Sequence, residues 1–134
     1  MKRIFLLVII ATLGLGLAAC SGTTEKGLLQ GTVNIGPISP VEQPGTNISI
    51  PCDAYNARKI MIYDKSGNNL IQQVDIECNA EENYARYRIE LKPGIYTVDI
   101  NYLGIDFSKD VPKQVEIKAD ITTRLDIDID TGIR

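Results

Sequence analysis

From Lys26 onward, polar and apolar positions alternate with a period of two. Leu29, Gly31, Val33 and Ile35 are small or apolar, and the intervening Gln30, Thr32 and Asn34 are polar, the pattern of a half-buried strand that Gly36-Pro37 ends. Arg58–Asp64 is apolar on both faces through Ile60-Met61-Ile62-Tyr63, as a central strand would be. Lys65-Ser66-Gly67-Asn68 has turn composition, and Asn69–Glu77 resumes a strand with Val74, Ile76 and Cys78 on one face. After the acidic turn Asn79–Asn83, Tyr84–Leu91 sets Tyr87, Ile89 and Leu91 inward and Arg86, Arg88 and Glu90 outward. Lys92-Pro93-Gly94 leads into Ile95–Tyr102, with Tyr96, Val98, Ile100 and Tyr102 inward. An irregular stretch, Leu103–Pro112, precedes Lys113–Lys118, which carries Val115 and Ile117. The last run opposes Ile121, Thr123, Leu125, Ile127 and Ile129 to Thr122, Arg124, Asp126, Asp128 and Asp130. Seven strands with turns at this spacing predict an all-β fold, a seven-stranded Greek-key β-sandwich, with no helix beyond an N-terminal signal helix.

Between the first two strands, Gly36–Asn56 holds Pro37, Pro40, Pro44, Pro51 and Gly45 and shows no sustained period. Loops of this length either carry function or lack order. The reading that needs least is a crossover between the two sheets. The alternative makes the loop a small-ligand or glycan site near Tyr55, together with Asp106 and Phe107 of the irregular stretch.

The N-terminus departs from this alternation. Lys2-Arg3, an apolar block from Ile4 to about Leu17, and Leu17-Ala18-Ala19-Cys20 follow the order of a secretory signal peptide. A membrane-spanning anchor is the competing reading. Spanning takes about 20 apolar residues; this block is shorter, contains Gly14 and Gly16, and is followed by Ser-Gly-Thr-Thr-Glu rather than a basic cluster. A cysteine directly after Leu-Ala-Ala resembles the lipobox of bacterial lipoproteins. That resemblance implies a signal peptide over 1–19, a diacylated Cys20 and a tether over 20–25, with one domain over 26–134. Ser21 rather than Asp after the cysteine implies outer-membrane sorting in a Gram-negative cell. The chain is then expected in the cell envelope, held to the membrane by its lipid.

Composition narrows the chemistry. The chain carries 14 Lys+Arg against 17 Asp+Glu, and loss of Lys2 and Arg3 makes the mature form more acidic. An acidic protein with no basic run is not expected to bind nucleic acid. There is no histidine, which removes Ser-His and Cys-His triads and most zinc sites, and no tryptophan. Neither an enzyme nor a cofactor is expected. With Cys20 lipidated, Cys52 and Cys78 remain, either bridged in an oxidising compartment or buried as two free thiols. Asp126-x-Asp128-x-Asp130 invites a calcium reading, but alternate side chains on a strand stand about 7 Å apart and do not converge on one ion. No metal is expected there.

At Pro93-Gly94-Ile95-Tyr96-Thr97-Val98 the sequence resembles the carboxypeptidase regulatory-like domains. Gly31-Thr32-Val33, Gly36-Pro37-x-x-Pro40-Val41, Ala57-Arg58-Lys59 and Thr131-Gly132-Ile133-Arg134 extend the likeness over about Lys26–Arg134. It implies a transthyretin-like sandwich serving as an accessory or adhesion module without catalysis of its own, with an envelope protein as partner. It also implies a cysteine where this chain has Ser39, paired with the one matching Cys52. Here that partner is absent, so either the bridge is re-routed to Cys78 or Cys52 has no mate.

Overall fold

The computed structural model describes residues 25–40 and 49–134. The expected signal peptide 1–19, the expected lipidation site Cys20 and most of the expected tether, and the centre of the Pro-rich loop lie outside the described residues.

The alternation of the first strand sets the frame. In β1 (Gly27–Gly36) the residues Leu29, Val33 and Ile35 are buried together with Gly27 and Gly31. β5 (Tyr84–Leu91) pairs antiparallel with β1 along one edge. Along the other edge run β8 (Thr122–Arg124) and then β9 (Ile127–Asp130), both parallel to β1. β4 (Glu77–Asn79) extends this sheet beyond β5. The second sheet is antiparallel, in the order β3 (Leu70–Asp75), β2 (Lys59–Tyr63), β6 (Gly94–Ile100), β7 (Lys113–Ile117). The inner faces close on Leu29, Val33, Ile60, Ile62, Tyr87, Val98, Ile117 and Ile127, all fully buried. Burial of such side chains contributes roughly 1.5–3 kcal/mol each and drives the sandwich. The molecule is an all-β sandwich, and β2 lies between two neighbours as its two apolar faces required.

Among the described residues there are nine strands rather than seven, because two runs read as continuous are broken. Asn69–Glu77 divides at Ile76: β3 belongs to one sheet and β4 to the other, and the chain crosses between them with Ile76 buried. Alternation runs unbroken through that crossing, so pattern alone misses it. The closing run divides at Leu125-Asp126 for a reason written in three residues, Tyr87, Asp126 and Gly31. The buried Tyr87 hydroxyl donates to the Leu125 carbonyl at 2.6 Å. Thr32 N–H donates instead to the Asp126 carboxylate at 2.8 Å, where a regular ladder would use a main-chain carbonyl. A Cβ on residue 31 would stand 1.8 Å from the Leu125 oxygen, so this close approach requires Gly31.

Three further expectations are corrected. A short helix, α1 (Cys52–Asn56), ends the Pro-rich loop; at five residues it is too short to show a helical period. Its turn closes through Ala54 N–H to the Pro51 carbonyl and Ala57 N–H to the Asp53 carbonyl. Tyr102, expected inward, is 42% exposed. β6 has ended by then, because the Asn101 side chain accepts the Lys59 N–H at 2.5 Å and the chain peels from the sheet. Ile121 is likewise exposed, one residue before β8.

The register sorts the connections into two poles. At the Gly27 end of β1 lie Leu91–Gly94, the Ile117–Ile121 turn and the β2–β3 hairpin. At the Gly36 end gather α1, the Asn79–Asn83 turn, the irregular stretch after β6 and the C-terminal residues. Ten residues of strand place the poles about 30 Å apart.

Candidate functional site

The Gly36 pole collects the residues singled out from the sequence and shows what each does. Cys52 of α1 and Cys78 of β4 are joined as a disulfide that ties the helix to the β4 edge. Tyr55, a ligand candidate, is a core residue: burial pushes its hydroxyl pKa up, and the hydroxyl is bonded to the Ile35 backbone. Asp106, a second candidate, is sealed. Arg58 Nε and Nη2 donate to its two carboxylate oxygens at 2.8 and 2.9 Å, with side-chain exposures of 10% and 2% for Arg58 and Asp106. Arg58 also donates to the Ala54 carbonyl at 2.7 Å, and Leu103 N–H donates to Asp106 at 3.1 Å. A buried pair of this kind is tolerated only with such further hydrogen bonds, and it fastens α1 to the segment after β6. Phe107 is the one candidate that faces solvent, at 57% exposure.

What Asp106 holds is a protruding turn. Asp106 N–H donates to the Leu103 carbonyl, and Gly104 takes a φ of 58° that suits glycine. Phe107 is bridged to Asp130 in both directions, at 2.8 and 2.7 Å. The result is a fixed knuckle exposing Leu103, Ile105 and Phe107, with Ile105 73% exposed. Asp106 and Phe107 were legible as candidates from the sequence, and Ile105 and Arg58 were not. Two cations, Arg58 and Lys59, lead into the buried strand; Arg58 is the one taken inside, with Asp106 as the carboxylate that answers it.

Two depressions open at this end of the sandwich. One, of about 760 Å³, is lined by Asn34, Phe107, Lys109, Asp110, Asp128 and Arg134 among others. The other, of about 340 Å³, adjoins the disulfide and is lined by Ile50, Tyr55, Cys78, Asn79 and Tyr84 among others. The carboxylates around the first are each engaged. Asp110 accepts Asp128 N–H at 2.9 Å, Asp128 accepts Asn34 Nδ2 at 2.8 Å, and Asp130 accepts Arg134 at 2.9 and 3.1 Å. The Arg134 guanidinium, then the Gly132 N–H, hold the Asp130 carboxyl below the usual range. Arg124 and Thr32 do the same for Asp126. The three aspartates of the last run thus serve three separate partners, and among the described residues no group of His, Cys, Asp or Glu is placed to hold a metal ion. No described helix is long and apolar enough to cross a membrane.

No family model matches the chain, and no curated protein matches it. Among solved structures, it is similar to a DUF3823 family protein from Parabacteroides merdae, at 13% identity and a TM-score of 0.38. That likeness covers 79% of this chain and 46% of the other. It is also similar to a leucine-rich repeat protein from Bacteroides thetaiotaomicron, at 10% identity and a TM-score of 0.34, covering 83% of this chain and 14% of that one. The chain therefore spans less than half the length of either.

Proposed function

We propose that this chain is a lipid-anchored module of the cell envelope, a carboxypeptidase regulatory-like β-sandwich of non-enzymatic role that acts through protein contacts. Lys2-Arg3, the apolar block and Leu17-Ala18-Ala19-Cys20 support the anchor. From a diacylated Cys20, the stretch to Gly27 reaches about 25 Å at most. The membrane then adjoins the Gly27 pole, and the Gly36 pole, about 30 Å further along β1, faces away from it.

The observation that carries the contact role is the knuckle at that far pole. A segment that exposes Leu103, Ile105 and Phe107 while a buried ion pair fixes its backbone is pre-organised to bury apolar surface against a partner. A ligand site built on Tyr55 and Asp106 has less support, since both side chains are already committed inside the fold.

A photo-crosslinking residue at Phe107, and another at Ser66 of the hairpin at the opposite pole, test this in whole cells. The expected result is a discrete adduct from position 107 that Ile105→Asp abolishes, with none from position 66. Identical products from both positions, or an adduct indifferent to Ile105→Asp, would count against the proposal.

A further inference from the structure

The described residues include five arginines, and four of them are paired with carboxylates: Arg58 with Asp106, Arg86 with Glu77, Arg124 with Asp126 and Arg134 with Asp130. Arg88 has no partner among the described residues. It projects from the outer face of β5, because its neighbour Tyr87 points into the core. Register places it directly beside Gln30 of β1, and Gln30 directly beside Arg124 of β8. The Gln30 side chain is half-buried and is also without a hydrogen bond. Next in line, Arg86 lies beside Thr32, stacked over the Tyr84 ring at 4.4 Å and held by Glu77 at 3.2 Å. Gln30, Thr32, Glu77, Arg86, Arg88 and Arg124 border a depression of about 340 Å³ on the flank of the sandwich, between the two poles. Glu90, the next carboxylate on this face of β5, makes no bond to Arg88.

An unpaired guanidinium presents a planar fork of donors suited to a carboxylate or another oxyanion. The second loose group narrows the ligand further. A carboxamide has an acceptor oxygen as well as donors, and the oxygen calls for a donor that a bare carboxylate or phosphate dianion lacks. A sugar carboxylate with hydroxyls beside it answers both. Arg88 and Arg124 stand two inter-strand spacings apart, about 10 Å between backbones, so the row reaches across more than one sugar unit.

We propose that the outer face of this sheet binds an acidic glycan, with Arg88 taking a uronate carboxylate and Gln30 a neighbouring hydroxyl, and with the ion-paired Arg124 and Arg86 bordering the depression. The site is separate from the knuckle and does not depend on the contact role given to it. Neither Arg88 nor Gln30 contributes a side-chain hydrogen bond to the fold, so replacing them reads binding rather than stability.

Calorimetric titration of the full chain in detergent micelles with tetragalacturonate tests the assignment. Saturable binding is expected, with Arg88→Ala weakening it about tenfold or more at unchanged melting temperature. Arg88→Lys should lose most of the same affinity, since it keeps the charge but not the fork. Neutral tetragalactose should give no binding, and tetraglutamate and inorganic phosphate should bind at least about tenfold more weakly. Gln30→Ala should erase the preference for galacturonate over tetraglutamate. Absence of saturable binding to the unaltered chain, full affinity in Arg88→Ala, or tetraglutamate or phosphate binding as tightly as the sugar would each overturn the proposal.

Discussion

Asp106→Ala is expected to be the costliest single polar substitution at the Gly36 pole. It removes the acceptor for two Arg58 bonds at 2.8 and 2.9 Å and for Leu103 N–H at 3.1 Å, from a site where the Asp106 side chain is 2% exposed. Arg58 keeps only its bond to the Ala54 carbonyl and becomes a buried cation without a counter-charge. Breaking a buried pair from one side costs about 3–5 kcal/mol. Arg58 retains a slightly exposed rim, which favours the lower end, about 3 kcal/mol. For a domain of this size that lowers Tm by roughly 12 °C. The companion measurement is Arg58→Met with Asp106→Leu. Apolar replacement of both partners relieves the unpaired charge and should restore the protein to within about 1–2 kcal/mol of the original. The cycle of Asp106→Leu and Arg58→Met, read by thermal and urea unfolding, should give a coupling energy of about 4–5 kcal/mol, since each single change costs about 3 kcal/mol and the double only about 1–2. Additive single substitutions, or an Asp106→Ala cost below about 1 kcal/mol as for an exposed pair, would refute the claim that this contact fixes the knuckle.

Gly31→Ala should destabilise by about 3 kcal/mol, the upper range for overpacking, because its Cβ would meet the Leu125 oxygen at 1.8 Å. Gly36→Ala, with nothing within 4 Å of the added atom, should fall within about 0.5 kcal/mol of the original in the same urea titration. Reduction of Cys52–Cys78, which closes a sequence separation of 26, should lower stability by about 3.5 kcal/mol on chain-entropy grounds; a urea midpoint unmoved by reductant would contradict this. Acid should destabilise the fold. Arg86, Arg124 and Arg134 hold Glu77, Asp126 and Asp130 below their usual pKa values, and hydrogen bonds from Ser66 and Asn69 hold Asp64 at about 2. These folded-state values lie below the unfolded ones near 4, so the unfolded chain binds protons first. Their contribution is present above about pH 4 and is lost as pH falls toward 2. Urea midpoints at pH 6, 4 and 3 should decline in that order, less steeply in Asp126→Asn.

Where side chains alternate without interruption, as in β1, β5 and β7, the buried set was legible residue by residue, because period two fixes the face. The same pattern was blind to breaks. Ile76 and Leu125 both continue the apolar rhythm while the backbone changes sheet or loses its ladder, and at Leu125-Asp126 the partners lie far off in sequence, at Tyr87, Gly31 and Thr32. Candidate chemistry was legible by segment and not by side chain. The stretch holding Asp106 and Phe107 does form the exposed feature of its pole, yet the polar residue proves to be the buried fastening and the apolar Ile105 the exposed surface. A carboxylate in a loop reads as solvent-facing until its partner is located, and Arg58 lies 48 residues away. Arg88 was placed outward by alternation, but its lack of a partner emerges only once every other described arginine has been paired.

The proposed envelope role rests on a lipid at Cys20, so membrane partition of Cys20→Ala is the most direct test. Cells expressing the original chain should hold it in the membrane fraction, resistant to high salt and released by detergent. The Cys20→Ala chain should lack the acyl mass and move to the soluble fraction or remain as unprocessed precursor. A Cys20→Ala chain that is processed and still partitions with membranes like the original would contradict the account at its root.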